Sequence, residues 1–160
     1  MQLNRSQIEQ LLPHRGSMSL LDQMLSWDEQ SIVCSTGSHR LPEHPLRDAH
    51  GLGSANAIEY AAQAMALHAA LLGARVVRSD AIGSDAVKLQ VPPHGVLASV
   101  RSVRMRVARL DDIAADLTVT ARLQSGDAQT AIYEFALHAQ ARELVSGRAS
   151  VLFVVTAPAL

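Results

Sequence analysis

One carboxylate could do acid–base chemistry, with an amide placed to contact it. Glu59 and Gln63 lie four residues apart, so they share one face of a helix. Around them run Ala57, Ile58, Ala61, Ala62, Ala64, Met65, Ala66, Leu67, Ala69, Ala70, Leu71 and Leu72, interrupted by His68. A helix apolar nearly all round must be buried on most faces. A carboxylate there is costly unless it has a partner or a task. The plain alternative is a helix-start glutamate held by the positive end of the helix dipole. Just upstream, His44 and His50 stand in a loop. Histidine is the commonest general base near neutral pH, although a solvated loop histidine explains either one equally well. The amides near Gly53 and Ser54, at the expected helix start, could polarise a carbonyl.

Those side chains need a scaffold. Ser54 or Asn56 is suited to cap the helix N-terminus, and Gly73 to sit just past its end, which predicts a helix over about 54–72. Residues 6–12 read as a short helix with Ser6 and Glu9 in a capping box, stopped by Pro13. Strands are expected at 18–27 and 30–37, with Asp28 and Glu29 turning between them. Pro42, Pro45, Gly51 and Gly53 mark 39–53 as a loop. Residues 74–93 read as one short strand plus a connection. Alternating apolar and polar residues predict strands at 95–110, 113–123, 130–138 and 143–155, with Ser125-Gly126-Asp127 as a hairpin turn. Strand, strand, long helix and then several antiparallel strands is an α+β order, with 1–160 as one domain.

Two runs carry a family resemblance. One is Ile58-Glu59-Tyr60-Ala61-Ala62-Gln63-Ala64-Met65 after a histidine-bearing loop; the other is Leu12-Pro13-His14-Arg15 followed by Met18-Ser19-Leu20-Leu21-Asp22. Together they resemble the 3-hydroxyacyl-acyl-carrier-protein dehydratases of the hot-dog fold. Leu97-Ala98-Ser99-Val100-Arg101 and Arg109-Leu110-Asp111-Asp112-Ile113-Ala114 add a likeness to the dehydratase-like branch of aryl polyene and xanthomonadin-type pigment clusters. The resemblance implies an antiparallel sheet wrapped around one long buried helix. It also implies a dimer, either of identical chains or with a related dehydratase. The implied activity is dehydration of 3-hydroxyacyl thioesters on acyl carrier protein, in fatty acid or aryl polyene type biosynthesis. No cofactor is implied beyond the carrier's phosphopantetheine arm.

In that family a loop histidine takes the C2 proton and the helix acid assists the departing C3 hydroxyl. The acid carries onto Glu59, with Gln63 contacting Glu59 or substrate. The family's Gly-His-Phe-Pro turn is absent. His44 lies nearest the family spacing, off by one residue, and His50 lies closer to the helix start. The missing turn leaves a non-catalytic subunit that binds acyl carrier protein or an active dehydratase as the alternative. A hot-dog thioesterase using Glu59 to activate water is a third reading. His14 reads as structural, capping the short helix or bonding within the dimer, and His68 faces away from Glu59.

Composition bounds the rest. At 160 residues, 48% hydrophobic and 18% charged, the chain is long and apolar enough for a core. Its net charge of -1 argues against wholesale nucleic-acid binding. The single cysteine, Cys34, excludes an intrachain disulfide and reads as a small buried hydrophobe. Seven histidines show no metal-ligand spacing, so no metal is expected. The first ten residues lack an apolar signal core, and no run is long enough to span a bilayer, so a cytoplasmic protein is expected. Arg101, Arg104, Arg106 and Arg109 crowd one strand region, suited to an acidic carrier.

Overall fold

The structure, a computed structural model, describes residues 1–80 and 94–154. Its elements are β1 (Leu3–Asn4), α1 (Arg5–Leu11), β2 (Gln23–Trp27), β3 (Ser31–Thr36), α2 (Ala57–Asp80), β4 (His94–Met105), β5 (Leu117–Gly126), β6 (Thr130–Ala139) and β7 (Arg142–Val154). The strands form one antiparallel sheet in the order β1-β2-β3-β5-β6-β7-β4. Alternation decides which face is covered. Leu117, Val119 and Ala121 of β5, and Ala131, Tyr133, Phe135 and Leu137 of β6, point inward and are buried. The inward face meets α2, as expected of a sheet wrapped around one buried helix.

Small residues let that helix sit close. Ala57, Ala61 and Ala64 are fully buried, while Tyr60, Met65 and Leu67 fill the wider spaces beside them. Burying each such large side chain contributes about 1.5–3 kcal/mol.

Several boundaries differ from expectation. Helix α1 is capped by Asn4, whose side chain accepts from the Gln7 amide while Gln7 reaches back to Asn4, so the capping box sits two residues before Ser6 and Glu9. Glu9 instead pairs with Arg5 at 3.6 Å. Neither Ser54 nor Asn56 caps α2 by its side chain; a 3-10 turn over Ser54–Asn56 begins at Gly53 and runs into the helix. Gly73 does not end α2, which continues to Asp80. A Cβ at Gly73 would meet nothing, and good helix formers follow it, so the glycine weakens the helix without stopping it. The mixed strand expected over 74–93 is therefore helical to residue 80, and 81–93 lie outside the described residues. Among the described residues no helix is long and apolar enough to cross a membrane.

Candidate active site

The two resemblance motifs, far apart in sequence, meet on α2. Gln63 is 1% exposed and ties them together. Its Nε2 donates to the Met18 carbonyl at 2.8 Å and to Glu59 Oε1 at 3.0 Å, and its Oε1 accepts from the Leu20 amide at 2.9 Å. Both amide hydrogens are thus used within the protein, and the segment 18–20 is fixed against the helix. Glu59 also has an imidazole beside it: His14 Nε2 lies 3.4 Å from Glu59 Oε1, both about one-third exposed. His14, and then the Gln63 hydrogen bond, hold the Glu59 carboxyl below its ordinary value against the opposing effect of burial. In this state Glu59 is an ionised acceptor at neutral pH, facing partly into solvent.

His14 was expected to be structural, capping α1 or bonding within a dimer. Arg15 takes the capping role, donating to the Leu12 carbonyl. The His14 Nδ1 is buried without a hydrogen-bond partner. Nothing local in the sequence marks His14 as Glu59's neighbour; its only signal is its place in the Leu12-to-Arg15 motif.

His44 is elsewhere. It is 4% exposed, and its Nε2 lies 2.9 Å from the hydroxyl of Tyr60, the residue after Glu59 and so about 100° round the helix. The Leu46 amide donates to His44 Nδ1 at 3.1 Å. That bond makes Nδ1 the bare nitrogen, so Nε2 carries the proton and donates to Tyr60. Tyr60 passes its own hydrogen to Ser38 Oγ at 2.9 Å, and Ser38 donates to the Leu20 carbonyl at 2.8 Å. Burial lowers the His44 pKa, assisted by Arg47, and pushes the Tyr60 phenol up to about 12. Acting as a base through Nε2, His44 would need its proton on Nδ1, where the Leu46 N–H already points.

His50 is exposed on the 48–51 turn, its backbone amide donating to Asp48 Oδ1 at 2.7 Å. Gly51 sits beside it at φ +99, and a Cβ there would lie 2.6 Å from Asp111 Oδ2. Asp111 clamps this loop: it accepts from Arg47 at 3.0 Å, from the Leu52 amide at 3.0 Å and from Arg109 at 2.5 and 3.0 Å. Arg109 is thereby taken out of the arginine cluster expected from sequence. Among the described residues no hydrogen bond or ion pair joins His44 or His50 to Glu59. The amide proposed to polarise a carbonyl at Ser54 is also committed, donating to the Ala108 carbonyl at 3.0 Å, and Gly53 forms a bridge with Arg109.

His68 is fully buried and satisfied: Nε2 donates to the Asp28 carbonyl at 2.8 Å, and Nδ1 accepts from the Tyr133 hydroxyl at 3.0 Å. Among the described residues, no three His, Cys, Asp or Glu side chains converge as metal ligands would.

With this geometry in hand, the likenesses are specific. The solved dehydratase heterocomplex ApeI:P from Xenorhabdus doucetiae contains a chain 22% identical to this one, with a TM-score of 0.76 over 93% of this chain and 91% of that one. PaaI of the E. coli phenylacetic acid degradation operon matches at 14% identity, TM-score 0.54, over 81% and 80% of the two chains. A hypothetical thioesterase from Streptococcus pneumoniae, solved with coenzyme A, matches at 14% identity, TM-score 0.51, over 82% and 84%. These shared shapes establish the hot-dog fold. Among curated proteins none matches the chain. The profile of the ApeP-like dehydratases, described as ApeP dehydratase, matches residues 6–155, so the chain belongs to the ApeP-like dehydratase family.

Proposed function

We propose that this protein serves the dehydration of 3-hydroxyacyl thioesters carried on acyl carrier protein, in aryl polyene or fatty acid type biosynthesis, with Glu59 as its working carboxylate. The observation that carries this reading is the Glu59 carboxylate held ionised, about one-third exposed and oriented by Gln63 and His14. In the reaction a base removes the C2 proton, the C2 electron pair forms the double bond, and the C3–O bond breaks. The proton taken from C2 is passed on to the hydroxyl, which leaves as water. An ionised Glu59 accepts the hydrogen bond of the C3 hydroxyl and orients it. Positioned groups of this kind contribute about 10²–10⁴-fold in rate.

A second reading has its own observation. His44, nearest the family's base position, has both ring nitrogens engaged inside the protein. A chain in that state suits a subunit that completes an active dehydratase. The dehydratase heterocomplex ApeI:P contains a chain similar to this one. Pairing also has a natural edge here. One end of the sheet is the two-residue β1, while the other is the twelve-residue β4, carrying exposed Val96, Leu97 and Met105. A long apolar edge strand is a template for another chain.

The test is hydration–dehydration of crotonyl and 3-hydroxybutyryl acyl carrier protein. It compares the chain alone, the chain co-purified with a related dehydratase, and each with Glu59→Gln. Turnover by the chain alone that falls about 10²-fold or more in the variant supports the first reading. No turnover alone, with complex activity unchanged by Glu59→Gln, supports the non-catalytic subunit. Release of the free carrier thiol without enoyl product would make it a thioesterase.

A further inference from the structure

The fold engages one of the two oxygens of Glu59 and leaves the other open. Gln63 Nε2 donates to Oε1 at 3.0 Å, and His14 Nε2 lies 3.4 Å from the same atom. Among the described residues Oε2 makes no hydrogen bond or ion pair. Among those same residues, the buried side-chain nitrogens and oxygens without a partner are His14 Nδ1, His39 Nδ1 and Arg47 Nε. Oε2 has no partner and is not one of these, so it opens to solvent. A carboxylate pinned through one oxygen presents the lone pairs of the other in a fixed direction.

The unpartnered Nδ1 decides what His14 can do. A neutral imidazole carries one hydrogen. On Nε2 that hydrogen meets Oε1 of Glu59. On Nδ1 it would be buried with no acceptor, and the bare Nε2 would face a carboxylate. Taking up a further proton would put a charged, unpartnered N–H inside the protein. His14 is therefore built to donate rather than to remove a proton. His44 has both nitrogens engaged and offers no open base either.

We propose that Glu59 is itself the base of this site, with both proton movements on Oε2, and that His14 is a positioning residue, a donor that keeps Oε1 out of the chemistry. This rests on the reading of Glu59 as the working carboxylate. One lone pair of Oε2 accepts the hydrogen bond of the C3 hydroxyl, and the other faces the C2–H bond. That bond breaks as its proton passes to Oε2, its electron pair forms the C2–C3 double bond, and the C3–O bond breaks. Oε2 then gives the proton to the departing oxygen, which leaves as water, and the carboxylate is restored. Substrate closing over Oε2 strips its water and strengthens it as a base, because burial disfavours the charged form. Both groups lost from the substrate lie on the face turned to Oε2.

The kinetic test uses the chain alone with 3-hydroxybutyryl acyl carrier protein. His14→Ala should lower kcat about tenfold, the loss of one hydrogen bond to a charged group, with KM within about twofold. His14→Gln places an N–H where Nε2 was but cannot titrate, and it should recover most of that loss. In a Glu59→Gln background His14→Ala should cost nothing more, because the carboxylate it serves is gone. A loss of about 10²-fold or more in His14→Gln, matching His14→Ala, makes His14 the base and overturns the proposal. Full turnover in His14→Ala overturns it too, as does an equal loss in both backgrounds. No turnover by the chain alone also sinks it, since Oε2 is then no sufficient base. Glu59→Gln in the complex separately decides the reading of Glu59: impairment there keeps that reading while this proposal fails. A readout independent of turnover is imidazole nitrogen NMR at mildly alkaline pH, with the His14 signals assigned by their loss in His14→Gln. Hydrogen on Nε2 is expected, and hydrogen on Nδ1 overturns the proposal.

Discussion

Replacing Tyr60 by Phe separates the two histidine environments and so tests whether His44 works for structure or for chemistry. Tyr60 is fully buried, and its hydroxyl bonds Ser38 Oγ at 2.9 Å and His44 Nε2 at 2.9 Å. In Tyr60→Phe, Ser38 still donates to the Leu20 carbonyl and still has Thr36 Oγ1 at 2.9 Å, so losing Tyr60 costs it one ordinary hydrogen bond, about 1 kcal/mol. The His44 Nε2–H is left buried without an acceptor, a further cost of about 1–3 kcal/mol. The total is about 3 kcal/mol. For 160 residues the unfolding entropy is about 0.34 kcal/mol per kelvin, so the melting temperature should fall by about 9 °C. Glu59 keeps His14 and Gln63, which the change does not touch, so carboxylate-dependent turnover at a temperature well below melting should stay within about twofold. The paired measurements are a thermal melt by circular dichroism and the carrier-substrate assay. A variant that melts like the parent but loses tenfold or more in turnover would refute the reasoning and move His44 into the reacting centre.

Acid should weaken the fold early. Burial lowers the pKa of His39, His44 and His68, so the unfolded chain takes up protons near its ordinary value, about 6.5, before the folded one does. Their contribution is complete above about pH 6.5 and is lost as pH falls through the lowered folded values; a denaturation midpoint that holds constant from pH 8 to pH 5 would contradict this. Cys34 is fully buried, its thiol pushed up to about 12 by desolvation, so a thiol reagent should label it only as fast as the chain unfolds, and rapid labelling under native conditions would show an opening the structure lacks.

Much of this protein is local and therefore legible. Strand identity follows from period-two alternation, as in Leu117, Val119 and Ala121, because every second side chain of a strand must face α2. The central helix follows from an apolar run too long for a strand. Glu59 and Gln63 could be paired from their spacing alone, since four residues is one helical turn, and their hydrogen bond at 3.0 Å is the result. Helix ends were harder. Gly73 carries the composition of a terminus but sits in open space within a helix, where a glycine only lowers propensity.

What lies between elements was decided by the tertiary structure. His44 and His50 both lie in the loop before α2; the family spacing favoured His44, and nearness to the helix start favoured His50. The fold instead turns His44 inward onto Tyr60, leaves His50 on an outer turn, and brings in His14 from the far N-terminal motif through the Gln63 bonds to Met18 and Leu20. The arginines were re-sorted in the same way: Arg109 left the cluster for Asp111, while Arg122 and Arg148 joined Arg101 across three strand pairings. The sequence by itself determined which faces are apolar and which residues share a turn, because those depend on backbone periods that every chain obeys. Which side chains from different elements meet depends on register and packing, which are properties of the whole sheet and helix together, and only the tertiary structure settles them.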